Sequence, residues 1–179
     1  MADRFDHIGL VVADLERSLS FYRDRIGLEL LDQGAETDAR YAEMLGVPRV
    51  RFAWAELDLG SGHVLELLRF DEPSGGAPQA LAPAATSAEQ GTEVGAAPQA
   101  IPPPTVVPGA AHLGIRVDDI DAAYEALVND GATVFSRPIE LGEDNRWLGL
   151  RVFYALDPDG HLVELIQEAP AAGRAASGR

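Results

Sequence analysis

The chain has 179 residues, of which 46% are hydrophobic and 24% charged, and its formal net charge is −15. This composition is typical of a soluble globular protein, and the negative charge argues against nucleic acid or an anionic membrane as the main partner, because both need basic patches. The chain has no cysteine. Disulfides, thiolate ligands and a cysteine nucleophile are therefore excluded, which leaves His, Asp and Glu as metal ligands.

The N-terminal residues show no basic segment followed by an apolar core, and no apolar run approaches about 20 residues. We therefore expect a cytoplasmic protein whose partner is a small-molecule substrate.

Residues 1–72 predict a βαβββ module. Residues 5–12 alternate as a strand with His7 on one face, and a helix capped by Asp14 follows and ends at Gly27. The later elements are a short strand at 28–31, a polar loop at 33–38, a helical turn at 39–48, a strand at 50–59 and a strand around Glu66.

Residues 73–108 are rich in Ala, Pro, Gly, Gln and Thr, which predicts a linker. A simple tether is favoured over a recognition segment for a proline-binding partner, since the linker carries no charge pattern or anchor residues.

Residues 109–169 repeat the order of the first module, and residues 170–179 predict a flexible tail. The repeated elements are a strand around His112, a helix capped by Asp119, a strand at 132–136, a loop at 137–146, a strand at 148–156 and a strand around Glu164. The predicted fold class is α+β, with two βαβββ modules.

The two modules form an internal repeat. A shift of 105 residues places His7 on His112, and a shift of 98 residues places Glu66 on Glu164. Each Glu lies in an apolar β-type run, GHVLELL or GHLVELI. Because strand side chains alternate between faces, each carboxylate shares a face with apolar residues and should point to an interior or a cavity. There it must be paired, hydrogen-bonded or bound to a metal.

The segment FDHIGLVVADLERSLSFY at residues 5–22, the following Gly27-Leu28 and the paired Gly-His-x-x-Glu-Leu strands resemble the vicinal oxygen chelate superfamily. Its members include glyoxalase I, methylmalonyl-CoA epimerase, extradiol dioxygenases and bleomycin resistance proteins. The resemblance implies that the modules curl into a U-shaped sheet with one divalent metal ion on its concave face. It also implies the ligands His7, Glu66, His112 and Glu164.

Two imidazoles and two carboxylates suit Ni, Co, Zn, Mn or Fe and leave coordination positions open for water or substrate. The competing interpretations are hydrogen-bonded core histidines, and buried acids paired with Arg116 or Arg151. His63 and His161 lie three residues from the glutamates, which places them on the opposite strand faces and argues against their being ligands.

Three further side chains are candidates for substrate binding. Arg116 shares the His112 face and would anchor an anionic group, with a salt bridge at the rim as the alternative. Trp54 and Tyr154, together with Trp147, would line the cleft, with core packing as the alternative. The loop 137–147 offers no residues that map onto a thiol-cofactor site, so glutathione is a doubtful carrier.

The resemblance to glyoxalase I implies an isomerase or lyase in which the metal binds two vicinal substrate oxygens and stabilises an enediolate. Glu164 is the predicted proton-shuttling base and Glu66 its counterpart. An Fe- or Mn-dependent extradiol-type dioxygenase is the first alternative, although a fourth ligand, Glu66, argues against it. A metal-free drug-binding protein of the bleomycin resistance type is the second. A homodimer, with modules paired within or between chains, stays open.

Overall fold

The computed structural model describes residues 5–72, 110–142 and 148–168. The predicted linker, the tail, Trp147 and part of the predicted loop 137–146 lie outside the described residues. In the part of the chain that is described, no helix is long and apolar enough to span a membrane.

The first module is a four-stranded sheet with its helices inserted after the first and second strands. Its elements are β1 (His7–Val11), α1 (Leu15–Leu19), a π-helix (Ser20–Ile26), β2 (Leu30–Glu36), α2 (Ala39–Leu45), β3 (Arg51–Gly60) and β4 (His63–Glu72). The strand order is β1-β4-β3-β2. Strand β1 runs parallel to β4, and the other pairs are antiparallel.

The second module repeats this arrangement. Its elements are β5 (His112–Arg116), α3 (Ile120–Asn129), β6 (Ile139–Glu140), β7 (Leu150–Leu156) and β8 (Leu162–Glu168). The strand order is β5-β8-β7-β6, again with a parallel first pair. The predicted α+β fold with two repeated βαβββ modules is therefore confirmed.

Three local predictions were wrong. The predicted loop 33–38 belongs largely to β2, because pairing with β3 satisfies the backbone of these polar residues. The predicted strand 132–136 is reduced to one bridge between Val134 and Ala155. Strand β6 instead lies in the predicted loop 137–146, where Ile139 pairs with Val152.

One hydrophobic core serves both modules. It gathers buried residues from one face of each sheet and from the helices between them: Leu19, Leu57, Leu65, Leu67, Leu127, Phe153, Val163 and Leu165. Glu66 lies between the fully buried Leu65 and Leu67 on β4, so its side chain points away from this core. We call the face of each sheet opposite the shared core the ligand face.

Candidate metal centre

The four predicted ligands occupy equivalent positions in the two sheets. His7 begins β1 and His112 begins β5. On the neighbouring parallel strands, Glu66 lies beside Gly9 and Glu164 lies beside Gly114. The sequence repeat is therefore also a repeat in strand register.

Each histidine lies close to the glutamate of its own module. The Nε2 atom of His7 is 3.7 Å from Oε2 of Glu66, and that of His112 is 3.3 Å from Oε2 of Glu164. The histidine side chains are 50% and 47% exposed, and the glutamate side chains 26% and 19%. We call His7 with Glu66 the first half-site and His112 with Glu164 the second half-site.

Glycine keeps the ligand face open beside each carboxylate. A Cβ atom on Gly9 would lie 3.6 Å from Oε2 of Glu66, and one on Gly114 would lie 3.8 Å from Oε2 of Glu164. A longer side chain at either position would cover this carboxylate oxygen.

Asp6 orients the histidine of the first half-site, a role that the sequence analysis missed. Its Oδ2 atom is 3.0 Å from Nδ1 of His7, and this hydrogen bond raises the pKa of His7 above its ordinary value. An imidazole whose Nδ1–H group donates a hydrogen bond to a carboxylate has its lone pair on Nε2, where it can bind a metal ion. This arrangement is common in metal-binding histidines. The only signal in the sequence was an acid next to a candidate ligand.

Tyr154 contacts both ligands of the second half-site. It lies directly opposite Glu164 on the neighbouring strand, and its ring meets the ring of His112 edge-on, with centroids 5.6 Å apart. Burial, together with hydrogen bonding to the Glu164 carboxylate, raises the pKa of Tyr154 to about 12. The structure places Tyr154 beside His112 and Glu164, and its predicted role in lining a substrate cleft stays a prediction.

Glu56 takes the place of Tyr154 in the first module. It lies directly opposite Glu66, just as Tyr154 lies opposite Glu164, and both pairs point to the ligand face. The predicted strand 50–59 contains Glu56, but this role depends on the register between two strands, which the sequence does not reveal.

The other predicted substrate-binding residues have structural partners. Arg116 forms an ion pair with Glu168, so its charge is engaged at the rim of the sheet. Trp54 packs against a small cluster formed by Ala42, Val50 and Phe52. Trp54 shares the ligand face with Glu56 by strand alternation. A substrate-binding role for Arg116 or Trp54 stays a prediction.

Arg151, His63 and His161, the other residues considered as partners or ligands, contact side chains outside the two half-sites. Arg151 pairs with Asp121 instead of a half-site glutamate. The ring of His63 packs edge-on against the ring of Phe5, with centroids 5.3 Å apart. The ring of His161 contacts the carboxylate of Asp157.

The four predicted ligands do not meet within one chain. Among the described residues, which include all four, no group of three or more His, Asp or Glu side chains is placed to hold a metal ion. The donor chemistry of each half-site does fit a divalent ion, since each offers one imidazole nitrogen and one carboxylate on an open surface. One chain thus presents two separate His–Glu pairs, and their joint role as metal ligands stays a prediction.

The sequence model of one protein family, the Glyoxalase/Bleomycin resistance protein/Dioxygenase superfamily, matches residues 4–165 of this chain. The chain therefore belongs to this superfamily, whose members commonly use a divalent metal. The sequence matches none of the curated proteins with which it was compared.

Solved structures share the fold. A glyoxalase family protein from Bacillus cereus has a TM-score of 0.72 and 22% identity, over 95% of this chain and 97% of that one. A glyoxalase/dioxygenase from Nostoc punctiforme has a TM-score of 0.55 and 23% identity, over 93% and 92%. The trypanothione-dependent glyoxalase I of Leishmania major has a TM-score of 0.51 and 21% identity, over 93% and 88%.

Proposed function

We propose that this protein is a divalent-metal-dependent enzyme of the glyoxalase I-like isomerase or lyase type. The observation that carries the proposal is the register of the two half-sites. An imidazole and a carboxylate stand 3.3–3.7 Å apart at equivalent positions of two separate sheets. A structural role in one module would not require the same pair of donors, equally exposed, in the other.

Two copies of the chain complete each site. Strands β1 and β5 are edge strands, and within the described residues neither pairs with another strand on its outer side. Their unpaired backbone groups are a template for pairing with a second chain. Pairing of β1 with β5 of the partner subunit would join the first half-site of one copy to the second half-site of the other. A symmetric homodimer then contains two complete sites.

His7, Glu66, His112 and Glu164 would hold a Ni, Co, Zn, Mn or Fe ion. When bound, such an ion supplies Lewis-acid stabilisation of negative charge on adjacent substrate oxygens. Glu164 would remove the proton from a hydroxyl-bearing carbon next to a substrate carbonyl and return it to the carbonyl carbon, while the hydroxyl proton passes to the former carbonyl oxygen. Carbonyl and hydroxyl then exchange places, and the reaction is an isomerisation without net loss of atoms. Tyr154 holds the Glu164 carboxylate, and Glu66 is its counterpart in the other half-site.

Metal content tests this proposal. We expect mass spectrometry of protein purified without chelator to find about one transition-metal ion per chain. Glu66→Ala should lose it, whereas Glu125→Ala, which alters an exposed acid on α3, should retain it. Ni, Co or Zn would support the isomerase, and Fe would favour the dioxygenase. Wild-type protein that takes up no metal on reconstitution would contradict the proposal and favour a metal-free binding protein.

For location and partners we keep the prediction of a cytoplasmic homodimer that acts on a small molecule. The net charge of −15 supports this choice over nucleic acid or an anionic membrane.

A further inference from the structure

We propose that Glu56 sets the charge preference of the site, so that its substrate presents two neighbouring oxygens without carrying carboxylate or phosphate groups. The inference rests on the proposed function, and it names the substrate class that the site accepts.

Three carboxylates form a row across the first sheet. Glu56 on β3 is paired with Glu66 on β4 on one side and with Asp32 on β2 on the other. Side chains of directly opposed residues share a face and lie close together, and like charges in such pairs repel each other. The row therefore adds negative charge to the ligand face, beginning at the first half-site.

The arginines of the described residues form no ion pair with this row. The sequence has no lysine, so all of its basic side chains are arginines. Among the ion pairs of the described residues, none joins an arginine to Glu56 or Asp32.

The second half-site has no such surplus of negative charge beside its glutamate. Its residue at the position of Glu56 is Tyr154, which is uncharged. Arg116 shares this ligand face, but the carboxylate of Glu168 neutralises its charge. The negative charge of a completed site is therefore concentrated on the side of the first half-site.

The net charge of a completed site follows from its metal ion, its ligands and Glu56. Two glutamate ligands balance a divalent ion, and metal-bound histidines are neutral. Glu56 then leaves one negative charge with no arginine paired to it among the described residues. In a half-exposed site, one like charge close to a bound anion weakens its binding roughly tenfold. An uncharged ligand does not incur this repulsion.

The test compares two ligands that offer neighbouring oxygens but differ in charge. Glycolamide stays uncharged when its hydroxyl and amide oxygens bind a metal ion, whereas oxalate is a dianion. Their binding to Ni²⁺-loaded protein is measured by isothermal titration calorimetry. We expect Glu56→Gln to strengthen oxalate binding about tenfold or more and to change glycolamide binding less than about twofold. The gain should shrink at high salt, since salt screens exposed charges.

Two variants are controls. Glu56→Asp keeps the charge and should keep the wild-type preference. Glu125→Gln removes one negative charge from α3, away from the ligand face, and should leave both affinities unchanged. Equal oxalate affinity in the wild type and Glu56→Gln, with Ni²⁺ bound in both, would overturn the inference alone. Failure of the wild type to bind Ni²⁺ would overturn the proposed function and this inference with it.

Discussion

The hydroxyl of Tyr22 donates a 2.9 Å hydrogen bond to the carboxylate of Asp157 across the boundary between the two modules. Tyr22 lies in the π-helix of the first module, and Asp157 follows β7 in the second. Both are buried, and burial followed by the charge of Asp157 raises the pKa of Tyr22 well above its ordinary value. The phenol therefore stays protonated and joins the two modules through this buried hydrogen bond.

Removal of this hydroxyl should destabilise the protein without changing its packing. In Tyr22→Phe, the buried Asp157 carboxylate loses one donor, and we expect a loss of about 1–2 kcal/mol in the free energy of unfolding. Urea denaturation followed by circular dichroism measures this loss. Tyr124→Phe is the matched control, because the ring of Tyr124 packs against Phe153. Equal losses in the two variants would contradict the role of the inter-module hydrogen bond.

The same carboxylate makes stability depend on pH. The Nδ1 atom of His161 is 2.9 Å from Oδ2 of Asp157, and this hydrogen bond raises the pKa of His161 above its ordinary value of 6.5. A raised folded-state pKa means that the folded protein binds the proton more tightly than the unfolded chain does. The stabilisation is fully present below pH 6.5 and is lost as the pH rises through the folded-state pKa.

We therefore expect the difference in unfolding free energy between the wild type and His161→Gln to be largest at acidic pH and to shrink with rising pH. Urea titrations at a series of pH values measure this difference. A difference that is constant with pH, or that grows with pH, would show that His161 is not stabilised as a cation.

Gly34 is required by its contact with Trp54. A Cβ atom at Gly34 would lie 2.8 Å from the indole ring of Trp54, so Gly34→Ala forces the ring or strand β2 to move. We expect a loss of about 1–3 kcal/mol. Gly142→Ala is the control, because a Cβ atom there meets nothing within 4 Å. Thermal unfolding of both variants distinguishes a local steric effect from a general effect of replacing glycine.

The sequence predicted those features that depend on strand alternation and on the repeat. Strand alternation predicted that Glu66 lies on the face opposite Leu65 and Leu67, which are buried in the core. The repeat predicted equivalent His and Glu positions in the two modules, and Glu66 pairs with Gly9 just as Glu164 pairs with Gly114. The opposition of Glu56 and Glu66 depends on how β3 aligns with β4, which no single strand encodes.

The sequence also did not predict how the two modules are positioned relative to each other. The position of the half-sites depends on which faces share the core, and contacts such as Tyr22 with Asp157 join residues that are 135 positions apart. The short strand β6 was missed because its residues are neither alternating nor apolar enough to differ from a loop.

The central claim, that two chains complete each metal site, is tested most directly by mixing complementary variants. One variant carries His7→Ala and Glu66→Ala, and the other carries His112→Ala and Glu164→Ala. Neither variant alone can form a complete site. A mixed dimer, isolated with two different affinity tags after refolding the chains together, contains one site with both halves intact and one with neither.

We predict that this mixed dimer binds about half as much metal per chain as the wild type, and that each variant alone binds far less. A mixed dimer that binds no more metal than its two parent variants would contradict the claim.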